Sequence, residues 1–275
     1  MEQPGQLDEG EGSGLVVAFG KQVKALRLRA GIEREEFGNR VGYSASTIAS
    51  FEQGRRIPPE RFIDRADEVL GADGVLTAMK EQLRQAQYPA FFRDAARLEA
   101  RAVAVHVYAV YGMPGLLQTE DHARAVFGMW RPLLGEETLA QRVEARLARQ
   151  EIFSWKQMPT LSFVVEESVL RRPIGGRHIM RAQLEHVLLQ SHQRNVEIQV
   201  MPTGREEHCG LGGPFTLIET RDGRRVAYVE VQGNSRLYTA RTMVREFEEQ
   251  YGILRAQALT PRESMGFIEK LLGEQ

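Results

Sequence analysis

Cysteine is nearly missing from this chain: Cys209 is the one thiol among 275 residues. A disulfide framework and a cysteine-built structural zinc site are both excluded, and the composition suits a reducing cytosol. Charge of one sign is missing too. Lys and Arg number 36 against 37 Asp and Glu, a formal net charge of -1. That excludes a protein that is basic throughout and coats nucleic acid indiscriminately, although a net balance hides segregation along the chain. Long apolar runs are also lacking. The longest, around Ala102–Tyr111, is interrupted by His106 and falls short of the ~20 residues that a spanning helix needs. Neither the positive n-region nor the apolar h-region of a signal peptide opens the chain. Residues 1–14 instead carry four acidic and no basic side chains and are expected to form a disordered tail. A cytoplasmic protein with no membrane association is the expectation.

What is present is material for about two domains, with 42% apolar residues to build their cores. From residue 15 to about 88 every periodic segment reads helical. Phe19, Val23, Leu26 and Ala30 form one helical stripe that stops at Gly31. A short helix from about Glu33 to Val41 follows, then a turn at Gly42-Tyr43. Ser44 stands where an N-cap is needed for a third helix that runs to Gln53. Pro58-Pro59 opens a fourth, with Phe62, Ala66, Val69 and Leu70 inward, and a fifth spans about Gly74 to Gln87.

The texture changes near Tyr88-Pro89, and residues 89–275 read as α+β. Strands are expected at Val103–Tyr108, Leu161–Val165, Val196–Val200, Phe215–Thr220 and Arg225–Val231. Asp222-Gly223 between the last two is a hairpin signal. Helices are expected at Glu120–Trp130, Glu136–Trp155, Arg177–Gln193 and Thr239–Arg255. A final helix starts at Thr260, with Pro261 and Glu263 completing a capping box. The fold class is therefore an all-α amino-terminal domain followed by an α+β domain.

Residues 33–57, EREEFGNRVGYSASTIASFEQGRRI, place a short helix, a tight glycine turn and a second short helix in sequence. As a set they resemble the helix-turn-helix of Cro/cI/Xre-type DNA-binding regulators, over about residues 17–70. The resemblance implies that double-stranded DNA is a partner and that the second helix enters the major groove. Ile48 and Phe51 point inward, which leaves Ser44, Ala45, Ser46, Ala49 and Ser50 as the base-facing set. These side chains are small, and none offers the bidentate readout of Arg, Asn or Gln. Shape readout is expected to supply much of the specificity, helped by neighbours such as Arg34 and Arg40. Arg34, Arg40, Thr47, Gln53, Arg55 and Arg56 are the candidates for phosphate contact. Arg27 and Glu52 occupy the positions where the family has a structural ion pair. Glu33 departs from the Ser, Thr or Asn that usually caps the second helix. Residues 17–57 hold eight basic side chains against four acidic ones, the local excess that phosphate binding requires.

Beyond residue 91 the chain resembles the large carboxy-terminal domain of actinobacterial Xre-type regulators of the WhiJ-like kind. The residues that carry this are Met113–Thr119, Arg149-Gln150, Glu166, Gln183-Leu184, Asn195-Val196, Gln199–Pro202, Gly213–Phe215, Tyr228–Glu230, Ala256, Ala258-Leu259 and Ser264. The resemblance implies a regulator, expected to be a repressor, that is modulated by a small protein partner encoded nearby in an antitoxin-like pair. A homodimer is expected. The alternative is a regulator that senses a small molecule in a pocket of the second domain.

Signs of catalysis are few. No P-loop, dinucleotide fingerprint or nucleophile elbow occurs, and no enzyme, metal site or cofactor is expected. His178, His186 and His192 are not at the i, i+4 spacing of paired ligands. Glu166, Glu167 and Glu230 are expected to pair with Arg171, Arg172 or Arg149 rather than to do acid–base work. The loop Thr203–Gly213, with His208-Cys209 inside it, is either a partner surface or a connector.

Overall fold

The computed structural model describes residues 10–86, 93–231 and 234–274. Two compact units divide the chain, residues 1–93 and 94–275. The change of texture read at Tyr88-Pro89 lies outside the described residues.

The first unit is all helical. Its helices are α1 (Gly10–Arg29), α2 (Arg34–Val41), α3 (Ala45–Glu52), α4 (Glu60–Leu70) and α5 (Lys80–Ala86), with a 3-10 turn at Thr77–Met79. Phe19 and Val23 of α1, Phe37 of α2, Ile48 and Phe51 of α3, and Phe62 and Ala66 of α4 fill one core. The ring of Phe51 lies 4.5 Å from that of Phe62, and Tyr43 meets both edge-on, at 5.7 and 5.5 Å. Such aromatic pairs add to the burial term and lock the turn between α2 and α3 onto α4. Gly42 closes α2 in the left-handed region, at φ 81°, where a side chain would be strained. A Cβ at Gly20 would sit 2.3 Å from the carbonyl oxygen of Phe51, so α1 and α3 approach at backbone contact. Asp67 accepts backbone N–H bonds from Gly74, Leu76 and Thr77 at 2.8, 2.8 and 2.9 Å and pins the segment after α4. Burial pulls its carboxyl pKa up, yet these bonds hold it below the usual range.

The disordered tail expected over residues 1–14 is corrected in part, because α1 already includes residues 10–14. Once Val16 and Phe19 are buried, each residue added upstream gains a helical bond without a new nucleus. Residues 1–9 lie outside the described residues.

The second unit is α+β. Six strands, β1 (Ala102–Ala109), β2 (Thr160–Glu166), β3 (Val196–Met201), β4 (Phe215–Thr220), β5 (Arg225–Val231) and β6 (Asn234–Tyr238), form one mixed sheet of order β3-β2-β1-β4-β5-β6. β1, β2 and β3 are parallel neighbours, and β4, β5 and β6 continue as an antiparallel meander. The parallel pairs require crossovers. Between β1 and β2 run α7 (Glu120–Gly128), α8 (Glu136–Ala148) and a 3-10 stretch, Arg149–Ser154. Between β2 and β3 run α9 (Glu167–Arg171) and α10 (Arg177–Ser191). A further helix, α6 (Arg93–Glu99), precedes β1, and α11 (Arg241–Gln257) and α12 (Pro261–Gly273) follow β6.

Both faces of the sheet are covered, which is why Leu161–Val165 of β2 is buried without alternation. Leu161, Phe163 and Val165 pack in one core with Met180, Leu184 and Val187 of α10 and Ile268 and Leu271 of α12. Val164 packs on the opposite side with Tyr108, Phe215, Val244, Tyr251 and Leu254. Ser162, also on that side, is satisfied by the Tyr251 hydroxyl at 3.0 Å. A smaller core joins α7 and α8 through Ala123, Phe127, Leu139 and Val143.

Candidate nucleic-acid interface

The turn and α3 follow from local chemistry. Ser44 has extended backbone angles, and its Oγ accepts the Thr47 N–H at 3.2 Å, the N-cap bond. The same Oγ lies 2.9 Å from both Ser46 Oγ and Thr47 Oγ1, so three hydroxyls form one exposed cluster at the start of the helix. Ser44 and Ser46 are exposed, and Ala45, Thr47, Ala49 and Ser50 are half-buried. Ile48 and Phe51 are fully inward. Glu33 stands before α2 with extended angles and no side-chain cap.

One carboxylate braces the module. Arg27 Nε donates to Glu52 Oε1 at 2.5 Å, and both side chains are almost entirely buried. Arg27 Nη1 also donates to the Ile32 carbonyl at 2.8 Å. Arg34 donates to Glu52 Oε2 twice, from Nε at 3.0 Å and Nη2 at 2.9 Å. Arg34 thus shares its guanidinium with a protein carboxylate, and its side chain remains 38% exposed. Arg40 is exposed and paired with Glu36 one turn earlier. Gln53, Arg55 and Arg56 follow α3 and are exposed, with the Arg56 guanidinium 6.0 Å from the Phe51 ring. Among the described residues neither Arg55 nor Arg56 makes an ion pair.

Two anchoring residues were not expected. Arg61 Nε donates to the Tyr43 hydroxyl at 2.8 Å, and Arg65 Nε reaches the Arg40 carbonyl at 3.4 Å. Their place on the outward side of α4, at i and i+4, is the signal available in the sequence.

In the second unit the acidic candidates separate. Glu167 pairs with Arg171 at 2.5 Å and accepts the Thr203 N–H. Among the described residues Glu166 does not join an arginine, contrary to the sequence-based expectation. It accepts from the Tyr108 hydroxyl at 2.7 Å and from His208 Nε2 at 2.8 Å. The two residues are 42 positions apart and meet because β2 ends beside the segment that follows β3. His208 Nδ1 accepts the Gly210 N–H at 2.9 Å, so the Nε2 proton faces Glu166. Glu230 bonds to the Tyr228 hydroxyl at 3.1 Å, and burial pushes its carboxyl pKa up. Burial also raises the Cys209 thiol, the reverse of nucleophile activation. Among the described residues no group of three or more His, Cys, Asp or Glu could hold a metal ion, and no helix is long and apolar enough to cross a membrane.

Two family models match the chain. The one described as "Domain of unknown function (DUF5753)" covers residues 92–270, and the one described as "Helix-turn-helix domain" covers residues 18–79. No curated protein and no solved structure matches. The helix-turn-helix match supports a DNA-binding regulator of the Xre-like type.

Proposed function

The chain belongs to the DUF5753 family, with a helix-turn-helix domain ahead of that region, and from this premise we propose a repressor that docks α3 in the DNA major groove. Ser44, Ala45, Ser46, Ala49 and Ser50 face the bases, and Arg40, Thr47, Gln53, Arg55 and Arg56 hold the phosphates. The observation that carries this is the exposed, Ser44-capped start of α3, followed directly by two exposed arginines without ion pairs among the described residues. Arg34 contributes mainly by bracing Glu52 and offers phosphate only its exposed edge. The repressor acts as a homodimer on a two-fold operator with half-sites about one turn, ~34–36 Å, apart. Its place of action is the bacterial cytoplasm, at the nucleoid. A small protein encoded nearby, acting on the second unit in the WhiJ-like manner, modulates DNA binding.

The test is a gel shift on the protein's own promoter region at several salt concentrations. Arg55→Ala with Arg56→Ala is expected to weaken binding to all sequences and to reduce the salt slope by about 2. Unchanged affinity and slope would refute the assignment.

A second reading, in which a small molecule acts through the second unit, is favoured by the surroundings of Arg146, whose guanidinium bonds to neutral Gln118 and has no carboxylate within ion-pair distance among the described residues.

A further inference from the structure

Three arginines, Arg142, Arg146 and Arg149, stand at i, i+4 and i+7 along α8 and the 3-10 stretch after it, and so share one face. Arg149 is matched, with Nε and Nη2 each donating to Glu99 at 2.8 Å. Arg146 is not. Its Nη1 donates to the neutral Gln118 Oε1 at 2.8 Å, and its guanidinium stacks over the Phe127 ring at 4.2 Å. Among the described residues no carboxylate lies within ion-pair distance of it. Burial first, then the charge of Arg149, lowers the Arg146 pKa to about 9; Arg142 adds to this, while the carboxylates of Glu230 and Glu99 act against it from beyond ion-pair distance.

His122 of α7 faces the same charge. It is 1% exposed, and neither ring nitrogen has a hydrogen-bond partner among the described residues. Burial, and then the Arg146 charge, holds its pKa near 4, so the ring is neutral at pH 7 and offers one N–H donor and one acceptor. Two orphaned ring nitrogens beside an unmatched cation are unusual in a packed interior, where buried polar atoms are nearly always satisfied. The wall around them is aromatic: Phe127 lies 5.8 Å from Trp130, and the Arg142 guanidinium stands 4.9 Å from the Trp130 ring. An arginine without a direct ion pair among the described residues, an orphaned imidazole on the neighbouring helix and an aromatic wall describe a ligand site for an anion.

We propose that the junction of α7, α8 and Gln118 binds a small organic oxyanion, gripped by Arg146 and His122. A carboxylate or a phosphate group has the required chemistry, because either can accept from the Arg146 guanidinium and from the His122 N–H together. This deepens the second reading above, since it names the ligand class that would act on the second unit.

The experiment uses the full chain carrying Trp155→Phe, which leaves Trp130 as its remaining tryptophan. Sodium succinate and, separately, sodium phosphate are titrated at constant ionic strength and pH 7.5, with Trp130 fluorescence and thermal midpoint as readouts. The expected result is a saturable response to at least one probe, with which of the two responds identifying the group recognised. Arg146→Met should weaken it at least tenfold and His122→Phe several-fold. Arg245→Met, on exposed α11, should leave it unchanged. No saturable response to either probe at about 50 mM, well above a millimolar dissociation constant, overturns the proposal. So does an unchanged constant in Arg146→Met or, if that variant does not fold, in His122→Phe. Saturable binding that leaves the gel shift unaltered keeps the site and retires the sensing reading.

Discussion

Glu52 offers the sharpest perturbation of the first unit. Its carboxylate accepts from two guanidiniums, and the Arg27 side chain behind it is buried. Glu52→Leu removes the anion and leaves Arg27 buried with the Ile32 carbonyl as its remaining acceptor. Breaking a buried pair from one side costs about 3–5 kcal/mol, against a total stability of about 5–15 kcal/mol for a domain. At about 4–8 °C per kcal/mol for a unit of this size, its melting point should fall by at least ~12 °C. Arg34→Ala breaks a half-exposed contact worth about 0–1 kcal/mol and should move it by a few degrees. Arg27→Met with Glu52→Leu should recover most of the loss, because an apolar pair can replace a buried ion pair. The assay separates the units without cutting the chain. Both tryptophans, Trp130 and Trp155, lie in the second unit, so their fluorescence reports that unit alone, while far-UV circular dichroism reports both. A Glu52→Leu midpoint within ~3 °C of the parent by circular dichroism would refute the reasoning.

The remaining predictions concern a buried histidine and a helix contact. His122 has a folded pKa near 4 against 6.5 when unfolded, so the stability it contributes is complete above pH 6.5 and is lost as the pH falls toward 4, by roughly 3 kcal/mol. His122→Phe should therefore flatten the fall of the fluorescence-detected urea midpoint between pH 7 and 4.5, and an identical slope in parent and variant would sink the idea. Gly20→Ala puts a Cβ against the backbone carbonyls of Phe51 and Glu52, atoms that cannot swing aside, and should cost the first unit about 1–3 kcal/mol or more. A melting point within a degree of the parent would show that α1 and α3 slide apart freely.

The features legible in the sequence are those whose partners lie within a few residues. Ser44 caps α3 through Thr47, and Thr260 forms its capping box with Glu263, because both bonds span three positions. The Asp222-Gly223 turn joins β4 and β5 with Gly223 at φ 78°. β6 escaped notice: Asn234–Tyr238 has no apolar alternation of its own and exists as the third strand of a meander. The expected helix Glu136–Trp155 breaks into α8 and a 3-10 stretch, and α6 and α9, of seven and five residues, are too short to show a period. Side-chain partners across long separations were the least legible. Glu166 meets His208 only because the parallel order of β2 and β3 brings distant segments together. Arg34, expected as a phosphate contact, reaches Glu52 because α2 and α3 are set at their angle, which the local sequence does not show.

The commitment of Arg34 to Glu52 has a consequence for how a module of this kind could discriminate among sequences. The outward side of α3 presents hydroxyls and methyls, and three of the hydroxyls are already bonded to one another. Base contacts by Ser44 and Ser46 compete with these internal bonds, and single hydroxyl contacts fall short of the ~1–3 kcal/mol of a good bidentate pair. The exposed arginines after α3 raise affinity for every sequence alike. A single module would therefore bind DNA without much preference. Two modules held at a fixed spacing change this, since the second binds at the effective concentration set by the first, and only a correctly spaced pair of half-sites satisfies both. In the proposed homodimer, weak readout on α3 would make the spacing of the two modules the principal source of specificity, and a monomeric form of the protein should then lose discrimination between sites before it loses affinity for DNA.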